Sequence, residues 1–378
     1  MNIAYSLSFV AKFKTYLSKL SISGAFFAIA VALINAYLLI TNKSWIFHPE
    51  IVVKHGDQIH YFELANNISN LVAAKSLYTL GYPLLYLFII MIDGDVASWQ
   101  AAMPYIITFQ AFVIFPAIIY LIFRNLRISD VFVIGALLLY YYYTQLIAST
   151  DPLTKYTALG LISLSEPIAI LCLLLCYQIF FRITENSFNT KSLSRQFLLL
   201  ALFTAYALMT RQTLALLIAP IYIYFLQEKQ YRICLKVMSY AILFYLPQLI
   251  WNYWVSRDIL FNGYAWWNSE VAWEMHQEMI YTLYNITGKA LFSLDYFTQN
   301  SKNIFPAYFL LLVLLVIGRF WKSKIGIYLA IFTLLNVIFY LSYWWSAASG
   351  LIDRFLLPNY ALIIFFISKQ LKNSNTPL

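Results

Sequence analysis

Charge is what this chain has least of. Only 11% of its 378 residues are charged, where a soluble domain carries about 25%. A surface that poor in charge excludes a soluble globular protein of this length. Acid is scarcer than base, with 16 Asp and Glu against 25 Lys and Arg, giving a net charge of +9. In a soluble protein that balance would suggest nucleic acid. Here the basic residues fall mainly at the ends of apolar runs, so they read as orientation signals and no nucleic-acid partner is expected. Cysteine is nearly absent. Cys172, Cys176 and Cys234 all lie in apolar segments, which excludes a disulfide framework. A phosphate-binding glycine loop, an HExxH helix, a GxSxG elbow and a CxxC pair are also missing, so the usual soluble-enzyme signatures drop out. The chain has four histidines, His48, His55, His60 and His276, and their spacing is unlike a zinc-ligand pattern.

What is there is apolar and aromatic. Mean hydropathy is +0.71, and 62% of residues are hydrophobic, with Tyr 31, Phe 30 and Trp 10. Interfacial belts use aromatics of this kind. A bilayer crossing takes about 17–25 apolar residues, and runs of that kind predict spans near 22–40, 104–123, 131–149, 160–181, 196–210, 212–226, 233–254, 304–319, 325–343 and 354–369. The pair around Arg211 reads either as two short spans or as one broken helix. The run 77–92, interrupted by Gly81 and Pro83, reads as interfacial or re-entrant. Lys12, Lys14 and Lys19 precede the first run, which has no small-residue cleavage site and so reads as an uncleaved span.

Alternating the chain through these spans from a cytoplasmic N-terminus puts 16 of the 25 basic residues inside. Only Asp130, Glu185 and Glu228 join them among the acids. This is the positive-inside bias. The expected fold is therefore all-α, a single integral membrane domain over 1–378 with about ten spans and both termini cytoplasmic. Two long external loops, 41–103 and 255–303, would contain short amphipathic helices. There is no internal repeat and no low-complexity run beyond YYYY at 140–143.

Long loops beside a scaffold concentrate function. The first opens with GDQIHYFELANNI, 56–68, where Asp57, His60 and Tyr61 fall at i, i+3 and i+4 of a helix. Asp57 could serve as a general base or a metal ligand, and reads equally as a solvated loop acid. Glu166, in LGLISLSEPIAILCLLL, is an acid in an apolar segment and a functional candidate on that ground. It reads equally as a helix-entry acid, since Pro167 suits a first turn. Arg211 must pair with an acid or a phosphate. Its alternatives are a phosphate ligand, a turn residue, or a partner of Glu166. Arg354 sits at the start of the last span and could bind a lipid-linked phosphate or anchor at the interface. In the second loop, 263–279 carries Trp266, Trp267, Trp273, Glu270, Glu274, His276 and Glu278, a pattern suited to a membrane-surface helix.

Taken together, Asp57 in GDQIHYFELA, GYPLLYL at 81–87, the SEP acid Glu166, Arg211 and DRFLLP at 353–358 resemble the GT-C class of membrane glycosyltransferases. That class includes protein mannosyltransferases and lipid A aminoarabinose transferases. The resemblance implies inverting transfer from a polyprenyl-phosphate sugar to a glycan, lipid or protein acceptor outside a bacterial inner (plasma) membrane. Asp57 would be catalytic, and His60, Tyr61, Glu166, Arg211 and Arg354 would bind substrate. Asp57 and Glu166 are candidate ligands for a divalent metal ion, and no other cofactor is implied. Two other readings stay open. An O-antigen-type polymerase would favour arginine-rich loops, whereas 255–303 contains Arg257, Lys289 and Lys302 as its basic residues. A transporter or flippase for lipid-linked sugars would favour polar residues at mid-membrane and repeat symmetry.

Overall fold

The computed structural model describes residues 22–41, 57–76, 78–93, 96, 98–124, 135, 165–185, 190–261, 263, 297–298, 314–316, 319–342 and 352–374. Among them helix is the regular structure, with no strand. The helices are α1 (Ile22–Thr41), α2 (Asp57–Ser69), α3 (Pro83–Ile92), α4 (Trp99–Phe123), α5 (Glu166–Glu185), α6 (Thr190–Thr210), α7 (Leu214–Gln227), α8 (Tyr231–Ser256), α9 (Lys324–Ser342) and α10 (Ile352–Ser374). Five are long and apolar enough to cross a bilayer, namely Gly24–Thr41, Trp99–Phe123, Glu166–Glu185, Tyr231–Ser256 and Lys324–Ser342. The expected spans at 196–210, 212–226 and 354–369 are apolar helices of shorter length. Most of 131–149 and 304–319, all of 263–279 but residue 263, and the first 21 residues lie outside the described residues.

Neighbour pairs fix the relative directions of seven helices. Tyr222 Oη donates to Thr204 Oγ1 at 3.2 Å across a sequence separation of 18. In one continuous helix those residues would stand about 27 Å apart. The broken-helix reading therefore falls, and α6 and α7 form an antiparallel hairpin turning at Arg211. Lys369 Nζ meets Glu185 Oε1 at 2.7 Å, and the Phe181 ring lies 6.0 Å from that of Phe366. These contacts join the C-terminal ends of α5 and α10, so the two helices run parallel. Lys324 Nζ reaches Glu228 Oε1 at 2.8 Å, while Tyr340 Oη reaches Thr213 Oγ1 at 2.6 Å. That makes α9 antiparallel to α7. Phe27 stacks on Phe123 at 4.4 Å, which sets the start of α1 against the end of α4. One end of the bundle thus gathers Arg124, Arg182, Glu185, Glu228, Lys324 and Lys369, here called the basic end. The other end gathers Glu166, Arg211 and the head of α10.

Helix α4 contains a π-helical turn at Gln110–Ile114. Phe115 N–H bonds back to Gln110 O, and Pro116 has no N–H, so neither residue can satisfy the Ala111 carbonyl. Asn35 on α1 does so instead, its Nδ2 donating to Ala111 O at 2.8 Å. A buried carbonyl with no partner is costly, so this bond ties the α1–α4 register to the proline.

Candidate functional site

The turn between α6 and α7 is the centre of the site. Arg211 N–H still bonds Ala207 O at 2.8 Å, and Leu214 N–H already bonds Arg211 O at 3.1 Å. The chain reverses within three residues. Carbonyls in the last turn of a helix have no partner along the helix. Here Met209 O accepts from Gly81 N–H at 2.8 Å, and Tyr206 Oη returns a bond to Gly81 O at 2.8 Å. A Cβ on Gly81 would lie 2.5 Å from Met209 C and Thr210 N, so this backbone-to-backbone approach admits glycine alone. Next to it, Leu80 N–H donates to Gln248 Oε1 at 2.7 Å, and Gln248 Nε2 donates to Asn252 Oδ1 at 2.8 Å on α8. The GYP stretch, expected as a re-entrant or interfacial segment, is a strap seated on the turn and followed by the ten-residue α3.

The turn presents Arg211 to the head of α5. Arg211 Nη1 and Glu166 Oε1 are 2.6 Å apart, with the side chains 8% and 0% exposed. Charges this deep are sustained by pairing. Glu166 is the first residue of α5 and Pro167 the second, the positions at which an acid meets the positive end of the helix dipole and a proline costs no hydrogen bond. The guanidinium carbon lies 5.3 Å from the centre of the Phe355 ring on α10. Phe355 stacks on Tyr340 of α9 at 5.2 Å and 14°, and Tyr340 holds Thr213 of the turn. From the other side Tyr61 of α2 donates to Ser165 Oγ at 3.3 Å, one residue before Glu166. Of its three readings, Arg211 meets two: it is a turn residue, and it pairs with Glu166.

Helix α2 is amphipathic, as the sequence predicts for the first loop. Tyr61, Phe62, Leu64 and Ala65 are buried, while His60, Glu63 and Asn66 are exposed. Asp57 is its first residue. His60 and Tyr61 part company. His60 faces outward with its Nδ1 3.1 Å from Glu63 Oε2, and Tyr61 turns inward. Both border Tyr78, whose ring lies 6.1 Å from His60 and 4.6 Å from Tyr61. Tyr61 also meets Tyr82 at 4.6 Å, and Tyr82 Oη accepts from Gln110 Nε2 at 2.9 Å. Arg354 directly precedes Phe355 in the first turn of α10. The structure therefore brings Tyr61, Glu166 and Arg211 together, with Asp57 one turn before Tyr61 along α2 and Arg354 one residue before Phe355 along α10.

No family model, curated protein or solved structure matches the chain. What the site can do follows from its own residues. A divalent metal at Glu166 does not fit them, because Arg211 already engages that carboxylate and its charge would repel the cation. Among the described residues no group of three or more His, Cys, Asp or Glu could hold a metal ion. Sequence reasoning missed Ser165, Thr213, Tyr340 and Phe355. Ser165 was within reach as the S of SEP. Phe355 lay inside the DRFLLP stretch, next to the Arg354 that was singled out, whereas Thr213 and Tyr340 had no local signal, because they matter through contacts between distant segments.

Proposed function

We propose that the protein is a membrane glycosyltransferase that moves a sugar from a polyprenyl-phosphate donor to a glycan, lipid or protein acceptor outside the membrane. One observation carries the reading. The stretches behind the resemblance to the GT-C class meet at one end of the bundle. Tyr61 and Ser165 join α2 to the head of α5, Gly81 seats on the α6–α7 turn, and Arg211 links Glu166 to the head of α10. In this reading about ten spans cross a bacterial inner membrane, both termini are cytoplasmic at the basic end, and the site end faces outward.

The chemistry then runs as an inverting displacement. The acceptor hydroxyl oxygen attacks the anomeric carbon, and Asp57 takes its proton as general base. The bond from that carbon to the phosphate oxygen breaks, and polyprenyl phosphate leaves with the electron pair. Arg354 meets the charge growing on the phosphate. Arg211, held by Glu166 and by the Phe355 ring, contributes a guanidinium fixed in place before the reaction. His60 and Tyr61, flanking Tyr78, line the approach along α2.

Transfer of radiolabelled hexose from a polyprenyl-phosphate donor to a membrane-glycan extract, by purified protein in detergent, tests the proposal. Asp57→Asn is expected to lower transfer by about 10²–10⁴-fold while donor binding and folding persist. Equal transfer by both proteins would remove Asp57 from the chemistry. A folded wild type that binds donor yet transfers nothing to any acceptor fraction would sink the enzyme reading in favour of a lipid-linked-sugar transporter.

A further inference from the structure

Helix α2 ends in a turn whose side chains do not suit its backbone. Leu71 N–H bonds Ile68 O at 3.2 Å and Val72 N–H bonds Asn67 O at 2.7 Å, the paired closure of a helix whose next residue turns left-handed. That residue is Leu71, at φ 55°, a conformation in which a bulky side chain is strained and glycine or asparagine is the ordinary choice. The strain gains no packing, since Leu71 is 76% exposed. Val72 is exposed too, and the two positions it would ordinarily pack on, Asn66 and Asn67, are polar.

The end of α8 repeats the pattern. It closes on Arg257, left-handed at φ 62°, with the guanidinium 5.8 Å from the centre of the Tyr253 ring. The chain does not then run outward. Asn252 Nδ2 donates to Ile259 O at 3.1 Å and to Phe261 O at 3.0 Å. Residues 259–261 therefore fold back beside a side chain rooted about 6 Å before the end of the helix. Ser256 Oγ and Asp258 Oδ1 hold the bend, accepting from Asp258 N–H at 3.2 Å and Leu260 N–H at 2.9 Å. The turn so fixed presents Leu260, 79% exposed, with Ile259 exposed beside it. Ile68 of α2 and Val255 of α8 pack on one cluster, Leu64, Leu80 and Trp251, so both turns leave the same corner of the site end.

We propose that Leu71, Val72, Ile259 and Leu260 insert into the leaflet at the site end, so that the corner where α2 meets α8 rests on the lipid surface. What covers them follows from the surface they continue. Helix α8 is long and apolar enough to cross a bilayer, and Ile242, Leu246, Ile250 and Tyr253 form an exposed stripe along it in steps of three and four residues. That stripe faces lipid and leads into the turn. With 26 residues, α8 is about 39 Å long, against about 30 Å of hydrocarbon. Its last turns therefore stand at headgroup level, where Trp254, Tyr253 and Arg257 are at home. A turn folded back from there points its aliphatic tip at the acyl boundary, the apolar medium that neither Leu71 nor Leu260 finds in the protein. The inference holds whether or not the protein transfers a sugar.

The test uses full-length single-cysteine variants Leu71→Cys, Leu260→Cys and Asn66→Cys, each labelled with a small thiol-reactive fluorophore and reconstituted into phosphatidylcholine nanodiscs. All three sites are exposed, and the three native cysteines are buried. Fluorescence from the labels at 71 and 260 is expected to be lost when the phosphatidylcholine is brominated on its acyl chains, and to survive aqueous iodide. The label at 66, on the polar face of α2, is expected to show the reverse. Iodide quenching at 71 and 260 equal to that at 66, with no quenching by the brominated lipid, would overturn the proposal. Protection of 71 and 260 from both quenchers would overturn it as well, and would assign the corner to a protein contact.

Discussion

At the residue scale, Glu166 and Arg211 are each other's condition. Glu166 is fully buried and Arg211 nearly so, so removing either leaves a charge without its partner in a low-dielectric interior. Glu166→Gln or Arg211→Met should each cost about 3–5 kcal/mol, read as a large fall in the denaturation midpoint in detergent. The double variant Glu166→Leu/Arg211→Met should be more stable than either single one, because no charge is then stranded. Equal losses that simply add would show that the two side chains act independently. Asn35 gives a second test at this scale. Its bond to Ala111 O exists because Pro116 cannot donate. Asn35→Ala should cost about 1–2 kcal/mol in the native chain and less in a Pro116→Ala background, where residue 116 regains an N–H. That Glu166 and Arg211 mattered was legible from charge in apolar runs. That they were partners was one reading of three.

At the element scale, the strap at Leu80–Tyr82 seats on the end of α6, two residues before Arg211. It caps the end of α6 from outside that helix, through the Gly81–Met209 and Tyr206–Gly81 bonds. Gly81→Ala should push the turn away and cost about 1–3 kcal/mol, with a lower thermal midpoint. Gly135 is the contrast, since a Cβ there meets nothing within 4 Å. Gly135→Ala should be neutral or stabilise by up to about 1 kcal/mol. Similar losses at both glycines would remove the strap's special role. The GYP motif was visible in the sequence, but its reason was not. A strand of text cannot say that two backbones touch 128 residues apart in numbering, between Gly81 and Met209.

At the scale of the whole molecule, the helix directions fixed above sort ionisable residues to one end or the other. Single cysteines at Asn66, exposed on α2, and at Lys322, exposed beside α9, should therefore label from opposite faces of sealed vesicles with an impermeant maleimide. The three native cysteines are buried and should stay silent. Labelling of both sites from one face would break the sorting. The sequence by itself determined the class and the rough placement of the helices. Scarcity of charge and runs of apolar residues are properties of composition and spacing, and a bilayer selects helices on those properties alone. It also marked Asp57, Glu166, Arg211 and Arg354, because polar groups stand out against an apolar background. Only the tertiary structure decided that 196–210 and 212–226 form a hairpin, that Arg211 reaches Glu166, and that Phe355, Tyr340 and Gly81 close around them. Those contacts join segments far apart along the chain, and their energies depend on distance in space, which no local pattern encodes.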